Sequence, residues 1–400
     1  MNICFVTRGF PPEVGGVPSV VFYTGKELVK RGHNISVVTL NTTKSKSFEV
    51  IDGMNVYRAN APFFNPHKNN VITWVIAGIL GALTLSYVSF KHKVKIVHAM
   101  DLSFGAVTCL LSRPLLLRKK FLLRYCGDLA YEIATRSKIK GFSAEQGIEE
   151  SWKLNSASIK LALKIQKLYF KIFHLILPTT KHGKSLLIKQ KVNEKKIFKT
   201  HYGVDAEKFK PTTKKQKQIK QIVSGGRFEK WKKFDDIINA MSILQKKGID
   251  TEFSLAGDGA EEKNLKKLAK KLGLEKKVHF EGNVSHEKLS KMMSDSDVFV
   301  SASAPNLGIS NIVLEAMASG KAVISSDIPG AFEAIKNNEN GIIYKTGDVK
   351  ELSAALEKIL TKDDFRKKLE QNARKTITEK FTYAKVADDF LEAYKIASKA

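Results

Sequence analysis

Short apolar runs separated by helix-length segments recur along the whole chain, and this spacing constrains the fold more than any other feature. In the first half the runs are NICFVT, NISVVTL, KIVHA, FLLRYCG and LILPT, with SVVFYTGKELVKRG reading as a helix after the first. In the second half they are QIVSGG, TEFSLAG, KVHFEG, VFVSAS, KAVISS and GIIYK. Successive runs stand roughly 20 to 40 residues apart, the length of a strand plus the crossover helix that a parallel neighbour requires. The pattern predicts parallel sheets wrapped by helices. A chain of 400 residues is too long for one such unit, so two are expected. The polar, Lys-rich stretch KPTTKKQKQIK, Lys210 to Lys220, interrupts the alternation and reads as the linker. In open sheets of this kind ligands sit at the carboxyl ends of the strands, so the loops there should carry the chemistry.

The formal charge is +27, of which +20 falls in residues 1–210 and +7 in residues 211–400. A basic surface attracts polyanions and also keeps a protein soluble; both readings stand. A nucleic-acid partner is not expected, because no recognition module or aromatic-interleaved basic patch accompanies the charge. Val71 to Phe90 is a 20-residue run without a charge, long enough to span a membrane. Its Thr73, Thr84, Ser86, Tyr87 and Ser89, and the strand-like KIVHA that follows at once, argue instead for a core helix or one lying at a membrane interface beside KHKVK. Cys4, Cys109 and Cys126 are widely separated, which points to a reducing compartment. MNICFVTRGFPPE reads as a strand rather than a secretory signal, so a cytoplasmic location is expected.

Several loops have the composition of ligand sites. Gly15 and Gly16 in FPPEVGGVPSV follow the first strand and open a helix, where backbone can approach a phosphate or sugar; GxGxxG is absent, so a nicotinamide dinucleotide fits poorly. Arg227 and Lys232 in GGRFEKWKKF lie at the end of the first strand of the second half, where two cations can grip a diphosphate. Gly257 and Gly259 in AGDGAEE form a second glycine loop. Asp128, ending LRYCGD, is either a ligand or acid/base group or a turn cap. Asp295 and Asp297 in SDSD precede an apolar strand and are read as a helix end, not as metal ligands. The run NLGISNIVLEAMASGKAVISSD holds one carboxylate, Glu315, before its final Asp, behind a Gly-bearing loop and on the first turns of a helix.

The order of these segments resembles the family-four retaining glycosyltransferases of the GT-B fold, over nearly the whole chain. The resemblance runs from FPPEVGGVPS through HYGVD, GGRFEKWKK, LAGDG, VHFEGNVS and VFVSASAPNLGISNIVLEAMASGKAVISSDIPG to NGIIYKTGD, and FTYAKVADDFLEAYKIA resembles the family's final helix. It implies two Rossmann-like doubly wound α/β domains facing a central cleft, with the C-terminal helix crossing back to the first. Residues 1–208 with 382–400 would bind the acceptor and residues 209–381 the nucleotide-sugar donor. It implies a hexosyltransferase that moves sugar from a nucleotide-diphosphate donor to a glycan or lipid-linked acceptor with retention, needing no further cofactor, as in polysaccharide or glycolipid biosynthesis. A peripheral position at the anionic inner face of the cell membrane is the accompanying expectation.

By resemblance, Gly15 and Gly16 face the donor phosphates, Arg227 and Lys232 bind the diphosphate and steady the leaving group, and Glu315 accepts hydrogen bonds from the ribose hydroxyls. The N–H groups of Gly308, Ile309, Ser310, Asn311 and Ile312 would face sugar and phosphate, and Asp128 would touch the sugar. The chain departs from the family at Leu307, where a first glutamate is expected and which Asn306 or Asn311 would have to replace. It departs also at Lys233, where a glycine is expected, and at Tyr202, where an Asn is expected. The departure at Leu307 keeps a second reading open, a relative turned to epimerase chemistry or sugar binding alone.

Overall fold

The computed structural model describes residues 1–400 except 14, 43–44, 62–70, 137–138, 140–141, 144–145, 212–218, 305–307 and 400. Most of the expected linker therefore lies outside the described residues. The chain divides into two compact units, the first Met1–Ser143, Gly147–Gly203 and Tyr383–Ala400, the second chiefly Val204–Thr382.

The first unit is built on seven strands: β1 (Asn2–Val6), β2 (Asn34–Leu40), β3 (Phe48–Ile51), β4 (Met54–Ala59), β5 (Ile96–Ala99), β6 (Lys120–Tyr125) and β7 (Leu175–Pro178). They lie in the order β3-β4-β2-β1-β5-β6-β7, all parallel except the β3–β4 pair. The hairpin is the element that the run-by-run reading passed over. Asp52 and Gly53 join its strands at φ 45° and 79°, and Asp-Gly is the pair that a two-residue turn with two positive φ angles favours. The central strands are buried on both faces, as a parallel sheet covered by helices requires; Ile3, Cys4, Phe5 and Val6 have no exposed surface.

The helix Tyr383–Lys399 belongs to this first unit although it ends the chain. Its buried residues Tyr383, Val386, Ala387, Phe390, Ala393, Tyr394 and Ala397 follow the i, i+3, i+4, i+7 spacing of one apolar face. Arg31 pairs with Asp388 at 2.6 Å, His201 Nδ1 lies 2.7 Å from Asp389 Oδ2, and buried His98 Nδ1 lies 2.9 Å from Tyr394 Oη. Burial holds the His98 imidazole neutral, pushing its pKa down to about 3.

The second unit has six parallel strands: β8 (Lys220–Gly225), β9 (Thr251–Ala256), β10 (Val278–Gly282), β11 (Val298–Ser301), β12 (Ala322–Ser326) and β13 (Ile342–Tyr344). Their order is β10-β9-β8-β11-β12-β13. The chain moves outward from β8 in one direction, then returns and moves outward from β11 in the other. The two strands are neighbours, so the direction of winding reverses between them and their end loops diverge to leave a crevice.

Candidate functional site

In the second unit the functional candidates converge on that switch point. β8 ends at Gly225, which is closely surrounded: a Cβ there would come within 2.9 Å of Ile312 Cδ1 and 3.1 Å of the Ala256 carbonyl. Gly226 then turns at φ 141°, and Phe228 drives the loop into the core against Phe234 and Phe280. Backbone bonds fix the loop to its neighbour: Gly226 N–H donates to Ala256 O (2.9 Å), and Glu261 N–H donates to Phe228 O (2.9 Å). With Phe228 buried, Arg227 is left exposed, and its guanidinium has no hydrogen-bond or ion-pair partner among the described residues.

A 3-10 turn, Lys230–Lys232, follows and ends at Lys233, which is left-handed at φ 49°, ψ 42°. This is the position where the resemblance expects glycine, and the backbone conformation is the one glycine adopts at no steric cost. Lys232 is half-buried, with Nζ 4.4 Å from the Trp231 ring centroid. Burial, and then repulsion from Arg227, lower its pKa to about 8. Trp231 O accepts from Ala304 N–H at 2.7 Å, tying this loop to the chain beyond β11.

Gly257 and Gly259 are fixed by backbone packing. At φ 125° and 147° they let the loop after β9 press against the loop after β8. A Cβ on Gly257 would overlap the Gly226 carbonyl, and one on Gly259 would lie 2.7 Å from Phe228 O. Their lack of side chains is thus accounted for by backbone packing within the unit.

The helix Asn311–Ala318 begins behind Ser310, which is extended at φ −71°, ψ 131° and makes no side-chain cap. The N–H groups of Asn311 and Ile312 have no acceptor among the described residues, so the helix offers free donors and the positive end of its dipole. Ile309 is buried, Gly308 and Ser310 partly so. Gly330, which sequence reasoning left without a role, supports this loop: a Cβ there would overlap Gly308 and Ile309 N. The signal was available in the sequence as the Pro329-Gly330 turn pair that follows KAVISSD.

Val313, Leu314, Ala316, Met317 and Ala318 pack that helix into the core, which leaves Asn311, Ile312 and Glu315 on its remaining face. The Glu315 carboxyl is half-buried and has no partner among the described residues. Burial raises its pKa to about 7, opposed by the charge of Lys208. The helix stops in a paired-bond cap, with Gly320 N–H donating to Met317 O (3.0 Å) and Lys321 N–H to Ala316 O (3.1 Å), Gly320 being left-handed at φ 65°. Lys321 turns inward, its ammonium donating to Ser294 O (2.7 Å) and Ser296 O (3.3 Å). Asp297 accepts from Gln221 N–H at 2.7 Å, a structural role that agrees with reading SDSD as a helix end. Leu307 and Asn306 lie outside the described residues.

Gly15, Gly16 and Asp128 belong to the first unit. Gly15 precedes the helix Gly16–Lys30 in extended conformation (φ 163°), and a Cβ there would meet only Pro18 Cδ at 3.5 Å, an ordinary contact. The fold itself therefore does not demand glycine at this position. Asp128 does not fit the expectation of a catalytic or sugar-touching group. Its carboxylate has no exposed surface and already accepts from Gln166 Nε2 (2.7 Å), Tyr131 N (3.1 Å), Tyr125 Oη (3.2 Å) and Trp152 Nε1 (3.2 Å). Such saturation makes it the hub that starts the helix Leu129–Arg136, the turn-cap alternative, and leaves no lone pair facing a ligand.

Residues 205–376 match the family model "Glycosyl transferases group 1". The matched residues lie within the second unit. An uncharacterised glycosyltransferase of Methanocaldococcus jannaschii is 26% identical over 422 residues, covering 99% of this chain and 98% of its own. A second from the same organism is 29% identical over 238 residues, a match that spans 58% of this chain and only 60% of that relative. Among solved structures, sucrose-phosphate synthase from Thermosynechococcus elongatus superposes with a TM-score of 0.79 at 17% identity over 98% of both chains. Anabaena HepE in complex with UDP superposes with 0.73 at 16% identity, over 99% of this chain and 100% of its own. The fold of this chain is GT-B, with two parallel-sheet α/β domains.

Proposed function

We propose that this protein is a glycosyltransferase that moves a hexose from a nucleotide-diphosphate sugar to a glycan or lipid-linked acceptor, with retention at the anomeric carbon. Residues 209–381 bind the donor; residues 1–208 with 382–400 bind the acceptor. The observation that carries the reading is the half-buried Glu315 carboxyl, which has no partner among the described residues, on the face of a helix that begins at the switch point where Arg227 and Lys232 stand equally without counter-ions. A nucleotide sugar supplies what each lacks. Its ribose offers two hydroxyl donors to the carboxylate, and its diphosphate offers anionic oxygens to the two cations.

The charge that develops on the diphosphate as the glycosidic bond breaks falls beside Arg227, Lys232 and the free N–H groups of Asn311 and Ile312. Preset donors of that kind stabilise the leaving group more in the transition state than in the bound donor. Lys232, at a pKa of about 8, is mostly protonated at neutral pH, and a bound diphosphate holds it so. Gly15, bare where the fold does not require it, leaves room for a ligand beside Gly16 at the start of the helix Gly16–Lys30. That Anabaena HepE is seen with UDP supports uridine nucleotides as the first probes. The proposed location is the cytoplasmic face of an anionic membrane, where a lipid-linked acceptor would be met.

A thermal-shift panel of nucleotide sugars tests the reading, because a ligand that binds only the folded state raises apparent stability by mass action. One base and sugar should stabilise the protein, and NMR of the product should show the donor's anomeric configuration kept. Binding without transfer to any glycan or glycolipid acceptor would instead leave a sugar-binding relative, and inverted product would remove the retaining assignment.

A further inference from the structure

The helix Val71–Lys91 leaves one long face uncovered. Val75, Ile79, Leu83, Tyr87 and Phe90 recur every three or four residues on that face and are all exposed, Leu83 by 61% and Phe90 by 67%. The stripe from Val75 to Phe90 is about 22 Å long at 1.5 Å per residue. The opposite face is fully engaged. Gly78 and Gly81 let the helix Phe104–Ser112 approach so closely that a Cβ on Gly81 would come within 2.6 Å of the Phe104 ring, and Ala77, Leu85 and Val88 are buried. The partner helix and the turn after it extend the uncovered surface with Leu111, Leu115 and Leu117, the last 70% exposed. An apolar ridge of this extent is unusual on a soluble surface and marks an interaction site.

The charge around the ridge identifies the partner. Residues 71–120 carry Lys91, Lys93, Lys95, Arg113, Arg118, Lys119 and Lys120 against one acid, Asp101, which is buried. Lys91 is held at the ridge's end with Nζ 3.1 Å from Tyr87 Oη and 5.7 Å from the Phe48 ring centroid. Two copies of the chain meeting ridge to ridge would press these cations together without counter-ions, whereas an anionic leaflet offers apolar depth beneath the leucines and negative charge beneath the lysines. By length and composition alone the helix, from Thr73 to Lys91, is able to cross a membrane. Spanning would strip it from the helix Phe104–Ser112 and from β2 and β4, on which it packs.

We propose that this ridge docks the first unit in the plane of an anionic bilayer, its leucines and Phe90 in the acyl boundary and its lysines and arginines at the headgroups. The ridge belongs to the first unit and Arg227, Lys232 and Glu315 to the second, so failure of the membrane assignment and failure of the donor assignment are distinguishable.

The test is co-sedimentation of the full chain with vesicles of phosphatidylcholine alone and with phosphatidylglycerol added, at low and high salt. The chain should bind the anionic vesicles, and less at high salt. The pair Leu83→Glu and Phe90→Glu should weaken binding about tenfold or more, since burial of two large apolar side chains is lost. Because both residues are exposed, melting temperature and nucleotide affinity should stay as in the parent. Leu161→Glu, on the exposed face of the helix Ala157–Ile172, should bind as the parent does. The proposal falls if the parent ignores anionic vesicles, if the paired variant binds unchanged, if Leu161→Glu loses as much, or if gel filtration shows a dimer that the paired substitution dissolves.

Discussion

Replacing Glu315 by Gln should stabilise the protein and disable it. A Glu side chain titrates near 4.5 in the unfolded chain and at about 7 in the folded one. Between those values the folded state holds a proton that the unfolded state has released, so the stability of the parent declines as pH rises through the window and stays reduced above about 7. At 1.36 kcal/mol per pH unit the full deficit is about 3 kcal/mol, and water reaching a half-buried carboxyl reduces it to about 1–3 kcal/mol. Gln has the shape of the protonated acid and no charge to desolvate. The variant should match the parent below about pH 4.5 and exceed it by about 1–3 kcal/mol above pH 7. Urea denaturation of both proteins without ligand, across that range, measures the difference.

The same substitution leaves an amide oxygen that still accepts but removes the charge assistance and one acceptor, a loss of about 1.5–3 kcal/mol, so donor affinity should fall by roughly tenfold to a hundredfold. Stability surrendered at a binding site and recovered on removal of the functional group is the expected trade. Equal stability of Gln and Glu at pH 8 would show that the carboxyl is solvated. Unchanged donor affinity would show that it is not the ribose anchor.

Two further outcomes follow from single residues. Asp128→Asn replaces a carboxylate that accepts from five groups by an amide whose –NH2 faces donors; it should destabilise the first unit by about 2–4 kcal/mol, read by thermal unfolding, while the protein that remains folded keeps its kcat. A loss of kcat with stability unchanged would return Asp128 to the catalytic set. Lys233→Gly removes a β-carbon from a left-handed position, φ 49°, and should gain about 0.5–1 kcal/mol in urea denaturation with activity kept; destabilisation would mean that the lysine side chain outweighs the backbone strain.

The alternation of apolar runs made both sheets legible, because a fully buried parallel strand needs an unbroken apolar stretch and a helix-length return. The hairpin β3–β4 was harder: FEVI alternates, has one exposed face, and announces itself only through the Asp-Gly turn. The glycines divide instructively. Gly257 and Gly259 look from the sequence like a ligand loop, yet backbone packing accounts for them, whereas Gly330 supports the Gly308–Ile309 loop from 22 residues away in the chain. Only tertiary contact distinguishes a glycine cleared for a ligand from one cleared for a neighbouring strand. Asp128 is similar. A carboxylate at a strand end is a ligand or a cap depending on what surrounds it, and Gln166 and Trp152, which saturate it, come from distant elements. Glu315 was legible because its helix is otherwise apolar, but its lack of a partner is visible only in the fold.

Proton exchange on binding tests most directly whether Glu315 and Lys232 receive the ribose and the diphosphate of one donor. The ligand is the nucleotide sugar selected by thermal shift, whose esterified diphosphate does not titrate near neutrality. Calorimetry in buffers of different ionisation enthalpy counts the protons. Glu315, at about 7 when free, must ionise to accept the ribose, so binding should release protons below pH 7. Lys232, at about 8 when free, must be protonated to hold the diphosphate, so binding should take protons up above pH 8. Affinity should therefore peak between the two, and Glu315→Gln should abolish the release while leaving the uptake. Binding that exchanges no protons across this range, or a release that survives in the Gln variant, would contradict the assignment.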